Sequence, residues 1–453
     1  GYTSPSAASI ASVQLQVALG ASGGTFANSG SAVTTANSDG TYTASIASQA
    51  DGTYRVQAIV TDLAGNTSTA PAVTIYVDLT PTIPTDLDLA TASDSTADGT
   101  TGTNSDKRTK VERPVITGTS EAGSTVTLYD VTGAANTVLG SATASGTAVS
   151  GVAGTTGTWS ITSDSLAEGV HTLKATSTDA AGNTSDLSAP LVVTIDTTTD
   201  KPTLVLDAGS DSAGAETAGT TTDKLTKVTK PTITGTAEAG SLVTISDTVG
   251  SGSPSALTPT AQARPDGTWS ITLGTALAEG IHTLTVVAID PANNSASSDS
   301  LVVTVDTTSN APSGLNLIDA SDSSGTGTTG TTSDDLTNVT TPTITGTAEK
   351  GSFVTLYDTF NSATTAIATA TTPGTLADGA AGQTATVTLT PTTALAPGIH
   401  SLTMTALDGA GTLSSATTTA LVVTIDTASI TPTMDLDTGS DSAGTGTTGT
   451  TFD

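Results

Sequence analysis

The sequence of 453 residues contains no cysteine, so disulfides, thiolate metal sites and cysteine nucleophiles are excluded. Basic residues are scarce, because 12 Lys and Arg stand against 42 Asp and Glu and give a formal net charge of −30. Nucleic acids and anionic membrane surfaces are bound by basic patches that displace counterions. The composition therefore disfavours both as partners, and it favours cations.

Long hydrophobic runs are also missing. No apolar stretch approaches the roughly 18 residues that a membrane helix needs, and the N-terminus has no basic segment followed by an apolar one. Membrane insertion is not expected. The sequence begins and stops within a repeated pattern, which indicates a segment of a longer protein with any export signal outside it.

Internal repetition dominates what is present. The tripeptide Ser-Asp-Ser recurs with its aspartate at Asp94, Asp211, Asp322 and Asp441. Further motifs keep step with it, among them GTWSIT at 157–162 and 267–272. The repeats predict a truncated or divergent domain, three complete domains and the first loop of another, at 1–79, 80–197, 198–307, 308–427 and 428–453.

Each repeated block is a short run in which apolar residues alternate with Thr or Ser, bounded by Gly, Pro, Asn or Asp, as in β-strands. About seven such runs in about 110 residues are typical of an immunoglobulin-type sandwich. We therefore predict an all-β chain of tandem immunoglobulin-like β-sandwich domains in an elongated rod. Trp159 and Trp269 are expected to anchor two cores. The fourth unit lacks this Trp and is expected to rely on Phe353, Leu356 and Leu402.

The succession of PTITGTAEAG at 231–240, GTWSIT at 267–272 and GIHTL at 280–284 resembles the bacterial Ig-like repeats of giant surface adhesins. The resemblance covers nearly the whole chain and is strongest over 80–427. It implies a protein that is secreted by a type I system to the bacterial cell surface, with calcium at the junctions between neighbouring repeats. It also implies that any host or surface receptor is contacted by domains outside this segment.

The positions of the aspartates predict a junction site independently. We expect the aspartate that closes one domain to meet the Ser-Asp-Ser loop, the end of the second strand and the turn before the last strand of the next. Five converging carboxylates repel one another unless a cation such as Ca²⁺, with about six to eight oxygen ligands, binds them. The predicted ligands are Asp78, Asp94, Asp106, Asp130, Asp179, Asp196, Asp211, Asp223, Asp247, Asp290, Asp306, Asp322, Asp334, Asp358, Asp408, Asp426, Asp441 and Asp453.

Other interpretations remain open at this point. A single aspartate is ordinary in a turn, where its side chain bonds the backbone two residues on. His171, His282 and His400 occupy one repeat position and are a domain apart, so neither a catalytic triad nor a zinc site is expected. The chain is therefore not expected to be an enzyme. The chain could instead be a subunit of a self-assembling extracellular filament or surface layer. A carbohydrate- or protein-binding module is a third class, for which 359–394 with Phe360 is the only candidate region.

Overall fold

The computed structural model describes residues 10–95, 103, 105–146, 155–213, 220, 222–323, 334–374 and 383–434. All regular elements in these residues are β-strands, so the prediction of an all-β chain is confirmed. The alternating sequence pattern explains them, because successive side chains of a strand point to opposite faces of a sheet. One face then packs into a core while the Thr and Ser residues on the other meet water.

The first domain contains one five-stranded sheet, in which β1 and β3 form the central pair. Val13, Ala18 and Tyr54 are the buried apolar residues in its described part. Its strands are β1 (Ile10–Leu19), β2 (Ala27–Asn28), β3 (Gly52–Asp62), β4 (Thr67–Thr69) and β5 (Val73–Val77).

The second domain pairs its strands into a three-stranded sheet, β11-β8-β6, and a five-stranded sheet, β10-β9-β12-β13-β7. Their facing sides share one hydrophobic core that includes Trp159 and Leu173. The strands are β6 (Thr85–Leu89), β7 (Arg108–Thr109), β8 (Val115–Glu121), β9 (Thr125–Asp130), β10 (Thr137–Thr143), β11 (Thr156–Thr162), β12 (Gly169–Thr178) and β13 (Leu191–Ile195).

The third domain repeats this arrangement with sheets β14-β16-β19 and β15-β22-β20-β17-β18, and β21 is added beside β20. Trp269 and Leu284 lie in its core. The strands are β14 (Val205–Leu206), β15 (Leu225–Thr226), β16 (Thr232–Thr236), β17 (Leu242–Val249), β18 (Ser255–Gln262), β19 (Thr268–Thr272), β20 (Gly280–Ile289), β21 (Ser295–Ser297) and β22 (Leu301–Val305).

The fourth domain has sheets β23-β25-β28 and β24-β30-β29-β26-β27 around a third core. The paired sheets in the three later domains are those of a β-sandwich. The strands are β23 (Ser313–Leu317), β24 (Leu336–Thr337), β25 (Ile344–Glu349), β26 (Phe353–Phe360), β27 (Ala363–Thr371), β28 (Thr384–Leu389), β29 (Gly398–Leu407) and β30 (Leu421–Ile425).

The core of the fourth domain is filled in a way that the sequence did not predict. Val387 occupies the position of the missing Trp, and Met404 lies over Gly346. In the earlier domains the indoles of Trp159 and Trp269 lie over Gly118 and Gly235.

Met404 therefore takes the space of the indole, as a flexible unbranched side chain can. Of the residues expected to compensate, Leu356 and Leu402 belong to this core, whereas Phe353 is only half-buried and lies outside it.

A short strand before the Ser-Asp-Ser loop decides where that loop lies. β6, β14 and β23 each precede the loop, and the two-residue strand that follows the loop pairs in parallel with the last strand of the domain. The loop therefore lies at the C-terminal pole of its own domain and faces the next domain. The prediction placed it at the N-terminal pole, because it treated the PVITGT-type strand as the first.

Candidate metal centre

Each junction between consecutive domains brings together one carboxylate from the preceding domain and two from the following one. The first is the aspartate after the last strand. The others are the glutamate of the Glu-x-Gly turn, beside the end of β8, β16 or β25, and the aspartate after the long strand β12, β20 or β29. The strand before the turn and the long strand both run to the N-terminal pole. We call these sets the junction triads, and they are Asp78, Glu121 and Asp179; Asp196, Glu238 and Asp290; and Asp306, Glu349 and Asp408.

The carboxylates of the second triad are close enough together to share one cation. One carboxylate oxygen from each of Asp196, Glu238 and Asp290 lies within 4.8 Å of the others. Oxygens on opposite sides of a calcium ion are separated by about 4.6–5.2 Å, which is twice the usual Ca–O distance. A cavity of about 270 Å³ adjoins Asp196 and Glu238.

The third triad is the most deeply buried. Asp306 is 5% exposed, and Glu349 and Asp408 are fully buried. Neither carboxylate oxygen of Glu349 has a hydrogen-bond partner in the described structure, and neither does Oδ2 of Asp408. Burial, reinforced by the neighbouring carboxylates, raises the pKa of Asp306 to about 7 and that of Asp408 to about 6. Unpartnered charge of this kind is costly, and a divalent cation would relieve it.

The first triad is less enclosed but has the same electrostatic character. Burial raises the pKa of Glu121, and the charges of Asp78 and Asp179 raise it further. Asp179 and Asn183 form a tight turn in which the aspartate accepts hydrogen bonds from the Asn183 backbone at 2.9 Å and side chain at 2.8 Å. Asn183 Nδ2 also donates to the carbonyl of Asp78 across the junction at 2.9 Å.

The Ser-Asp-Ser loop holds a second, separate group of acids within each domain. Asp94 is buried, accepts the Lys107 backbone N–H at 3.4 Å and has an unpartnered Oδ1. Its pKa is raised by burial, with a further contribution from Asp106. Asp211 and Asp322 repeat this arrangement beside the acids Asp223 and Asp334, and the pKa of each is raised mainly by burial.

The aspartate that was predicted to follow the second strand lies at the C-terminal pole of its domain, whereas the prediction placed it at the N-terminal pole. Asp130 is the last residue of β9 and contacts His171, with 2.7 Å between Oδ2 and Nδ1. The same 2.7 Å contact joins Asp247 to His282 and Asp358 to His400, and the other ring nitrogen faces a backbone carbonyl in each domain. These histidines are structural partners of the aspartates within single domains.

The predicted convergence of five aspartates at each junction is therefore wrong. The structure divides each of the first three predicted sets into a junction pair, a loop pair at the opposite pole and one His-bound aspartate. The reason is that an additional strand, β6, β14 or β23, precedes the strand that was predicted to be first. Asp426 lies after β30, and Asp441 and Asp453 lie outside the described residues.

The prediction also omitted Glu121, Glu238 and Glu349. Their Glu-x-Gly turn recurs in three domains, and that recurrence was the available signal.

The comparisons with known proteins agree with this repeated architecture. The family model for the bacterial Ig-like domain matches residues 5–79, 82–197, 198–307 and 314–427. The chain belongs to the bacterial Ig-like domain family. Domains of the bacterial Ig-like type are generally structural and non-catalytic. No curated protein matches this chain.

Solved structures with similarity to this bacterial Ig-like chain include a tetra-tandem repeat in the extending region of a large adhesion protein. It is 21% identical, covers 94% of each chain and gives a TM-score of 0.35. The fibronectin(III)-like modules of Clostridium thermocellum CbhA are 18% identical over 49% of this chain and 94% of theirs, with a TM-score of 0.24.

The FN1–FN3 domains of chicken CNTN1 are 12% identical over 65% of this chain and 89% of theirs, with a TM-score of 0.25. At these identities the similarity concerns the fold alone. The part of this bacterial Ig-like chain that the structure describes has no helix of the length and hydropathy required to cross a bilayer.

Proposed function

We propose that this chain is a spacer in the stalk of a secreted adhesin on the bacterial cell surface, and that calcium bound by the junction triads makes it rigid. The observation that carries the proposal is the third triad, whose three carboxylates are buried and in which Glu349 is unpartnered. Carboxylate oxygens are the ligands that Ca²⁺ prefers. Any receptor would be contacted by domains outside this segment, and export would follow a type I route.

The mechanism is a linkage between ion binding and docking of domains. Asp306 comes from one domain and Glu349 and Asp408 from the next, so the complete triad exists only when the two domains are docked. An ion that binds the docked state and not the separated state stabilises docking by mass action. When bound, calcium supplies positive charge to the triad. The chain's own residues hold the turns and place the carboxylates.

Small-angle X-ray scattering of the full chain in calcium and in EGTA tests the proposal. Four domains of about 35–40 Å, from strands near ten residues at about 3.3 Å each, predict a rod of roughly 140–160 Å in calcium. We expect a broader distribution of shapes in EGTA. Identical scattering in the two conditions would contradict a role for calcium in rigidity.

Self-assembly into an extracellular filament or surface layer is a second candidate, favoured by a repeated apolar feature. The outer face of the larger sheet in each complete domain exposes two apolar residues, one on the long strand β12, β20 or β29 and one on the last strand. Their exposed fractions range from 42% to 67%, and they are Val170 and Val192, Ile281 and Val302, and Ile399 and Val422. Exposed apolar groups that recur along a surface are typical of contact sites.

Sedimentation velocity over a hundredfold range of concentration separates the two candidates. A stalk segment remains monomeric, whereas a filament subunit gains mass with concentration. In that case the triple variant Val170→Thr, Ile281→Thr, Ile399→Thr should restore the monomer, because it removes one apolar residue of each pair while keeping β-branched side chains.

A further inference from the structure

One difference between the second and third junctions lies at a repeat position next to the triad. Arg108, Leu225 and Leu336 each begin the two-residue strand that pairs in parallel with the last strand of their domain. The backbone therefore presents this position to the junction in the same way each time. A permanent positive charge occupies it at the second junction, and an apolar side chain occupies it at the third.

Arg108 bridges carboxylates from two domains. Its Nη1 is 2.9 Å from Oδ2 of Asp196, which belongs to the same domain, and 3.8 Å from Oε1 of Glu238, which belongs to the next. The guanidinium is always charged and is less strongly hydrated than an ammonium group, so it suits a partly enclosed ion pair. It supplies charge where the proposed calcium ion would supply it.

A second bridge across the junction follows the same pattern. Asn294 Nδ2 donates to the backbone carbonyl of Asp196 at 2.8 Å, and so ties the third domain to the second. The equivalent residue in the fourth domain is Thr412, whose backbone N–H bonds Asp408 at 2.7 Å. The threonine side chain has no amide to donate to Asp306, so this bridge has no counterpart there.

The two junctions share one contact outside the triad, although Ser212 Oγ also donates to the carbonyl of Ala410 at 2.8 Å across the third junction. Lys110 Nζ donates to the carbonyl of Asn293 at 2.6 Å, and Lys227 Nζ donates to the carbonyl of Gly411 at 2.6 Å. Both lysines lie just after the Ser-Asp-Ser loop. The lysine therefore contacts the facing turn in the same manner at both junctions, and the difference in charge lies at the triad.

We propose that Arg108 is the built-in cation of the second junction, so that this junction keeps its arrangement without calcium, whereas the third junction, with Leu225, requires a bound divalent cation. The inference rests on the proposed role of calcium at the triads. It divides the stalk into a permanent joint between the second and third domains and an ion-dependent joint between the third and fourth.

The test measures each joint separately in the full chain. The sequence has no cysteine, so pairs of introduced cysteines can carry spin labels at chosen places only. Ser160, Ser270 and Thr388 are equivalent, exposed positions on the smaller sheets of the three complete domains. Ser160→Cys with Ser270→Cys reports the second junction, and Ser270→Cys with Thr388→Cys reports the third.

Pulsed electron–electron double resonance gives the distribution of distances between the two spin labels. In calcium we expect narrow distributions for both pairs. In EGTA we expect the 270/388 distribution to broaden and the 160/270 distribution to stay narrow. Arg108→Leu should make the 160/270 pair broaden in EGTA, and Leu225→Arg should keep the 270/388 pair narrow. Lys174→Leu, which removes one positive charge in the middle of β12, serves as the charge-matched control and should change neither pair.

Calorimetric titration with CaCl₂ provides a second readout. Arg108→Leu should raise calcium affinity at the second junction by at least about tenfold, because it removes a positive charge that repels the ion and competes for the carboxylates of Asp196 and Glu238. If neither wild-type pair responds to EGTA, the proposed role of calcium fails. If both pairs respond equally, and Arg108→Leu changes neither the width of the 160/270 distribution nor the calcium affinity, the role assigned to Arg108 is overturned. The proposed role of calcium at the triads then still stands. Circular dichroism of each variant confirms that the sandwiches remain folded.

Discussion

At the scale of single residues, the carboxylates of this chain fall into groups with different partners. Asp247 is paired with His282, and both side chains are largely buried. Glu349, also buried, has no partner in the described structure. A carboxylate is therefore paired within its own domain in one place and left without a partner in another, and the groups within about 4 Å decide which.

Removal of the histidine should expose this difference. His282→Ala leaves Asp247 buried beside a cavity, and we expect it to destabilise the third domain by about 2–3 kcal/mol. Hydrogen exchange measured by mass spectrometry resolves the affected domain. His171→Ala is the matched control, because the His171 and Asp130 side chains are 13% and 16% exposed and water can replace the lost contact. Equal losses in the two variants would contradict the dependence on burial.

Neutralisation of Glu349 should change calcium binding at the third triad and leave the fold of the sandwich unchanged. Glu349→Gln removes one ligand charge from the third triad, so we expect calcium affinity there to fall by about tenfold or more. In EGTA the same variant should dock the third and fourth domains more tightly, because an uncompensated buried charge is gone. Calorimetric titration and scattering measure the two effects. Asp266→Asn, in an exposed turn of the third domain, should change neither.

At the scale of strands and sheets, the repeat pattern was sufficient to predict the sandwiches, since period-two alternation directly reports which face is buried. It was not sufficient to place the loops. β14 has only two residues and β6 and β23 have five, so their pattern is too short to stand out from the turns around them. The omission of this one strand from each domain reversed the predicted pole of Asp94 and Asp130 and concealed the position of Glu121 at the junction.

The packing of the two sheets yields a prediction of its own. Val387→Trp in the fourth domain should destabilise it by about 1–3 kcal/mol, because Met404 already occupies the space over Gly346. The double variant Val387→Trp, Met404→Val recreates the pair found at Trp269 and Val286, and it should recover most of the loss. Chemical unfolding of the two variants gives the coupling energy. If the double variant is no more stable than the single one, Met404 does not substitute for the indole.

At the scale of the whole molecule, stiffness should depend on pH in opposite directions with and without calcium. Burial raises the pKa of Asp306 to about 7 and of Asp408 to about 6, from an ordinary value of 3.8. In EGTA the docked state therefore holds protons that separated domains release, and docking should weaken as pH rises from about 4 to about 7. With calcium present, docking should weaken as pH falls, because the ion requires ionised carboxylates.

The distance distribution of the 270/388 label pair, followed from pH 4.5 to 8 in EGTA and in calcium, measures both trends. The 160/270 pair is the internal reference, because the Arg108 side chain compensates part of the charge on Asp196 at any pH in this range. A 270/388 distribution that broadens in EGTA as pH falls would contradict the expected direction.

Two neighbouring domains share each triad: the preceding domain contributes one carboxylate from its C-terminal end, and the following domain contributes two from its N-terminal pole. Each domain between two neighbours therefore carries complementary halves of two sites. Duplication or deletion of one whole repeat restores a complete site wherever two repeats meet, so unequal recombination can lengthen or shorten the gene without a compensating mutation. A change in length by any other amount would leave a mismatched half-site, so the shared triads favour growth of such a gene by whole repeats.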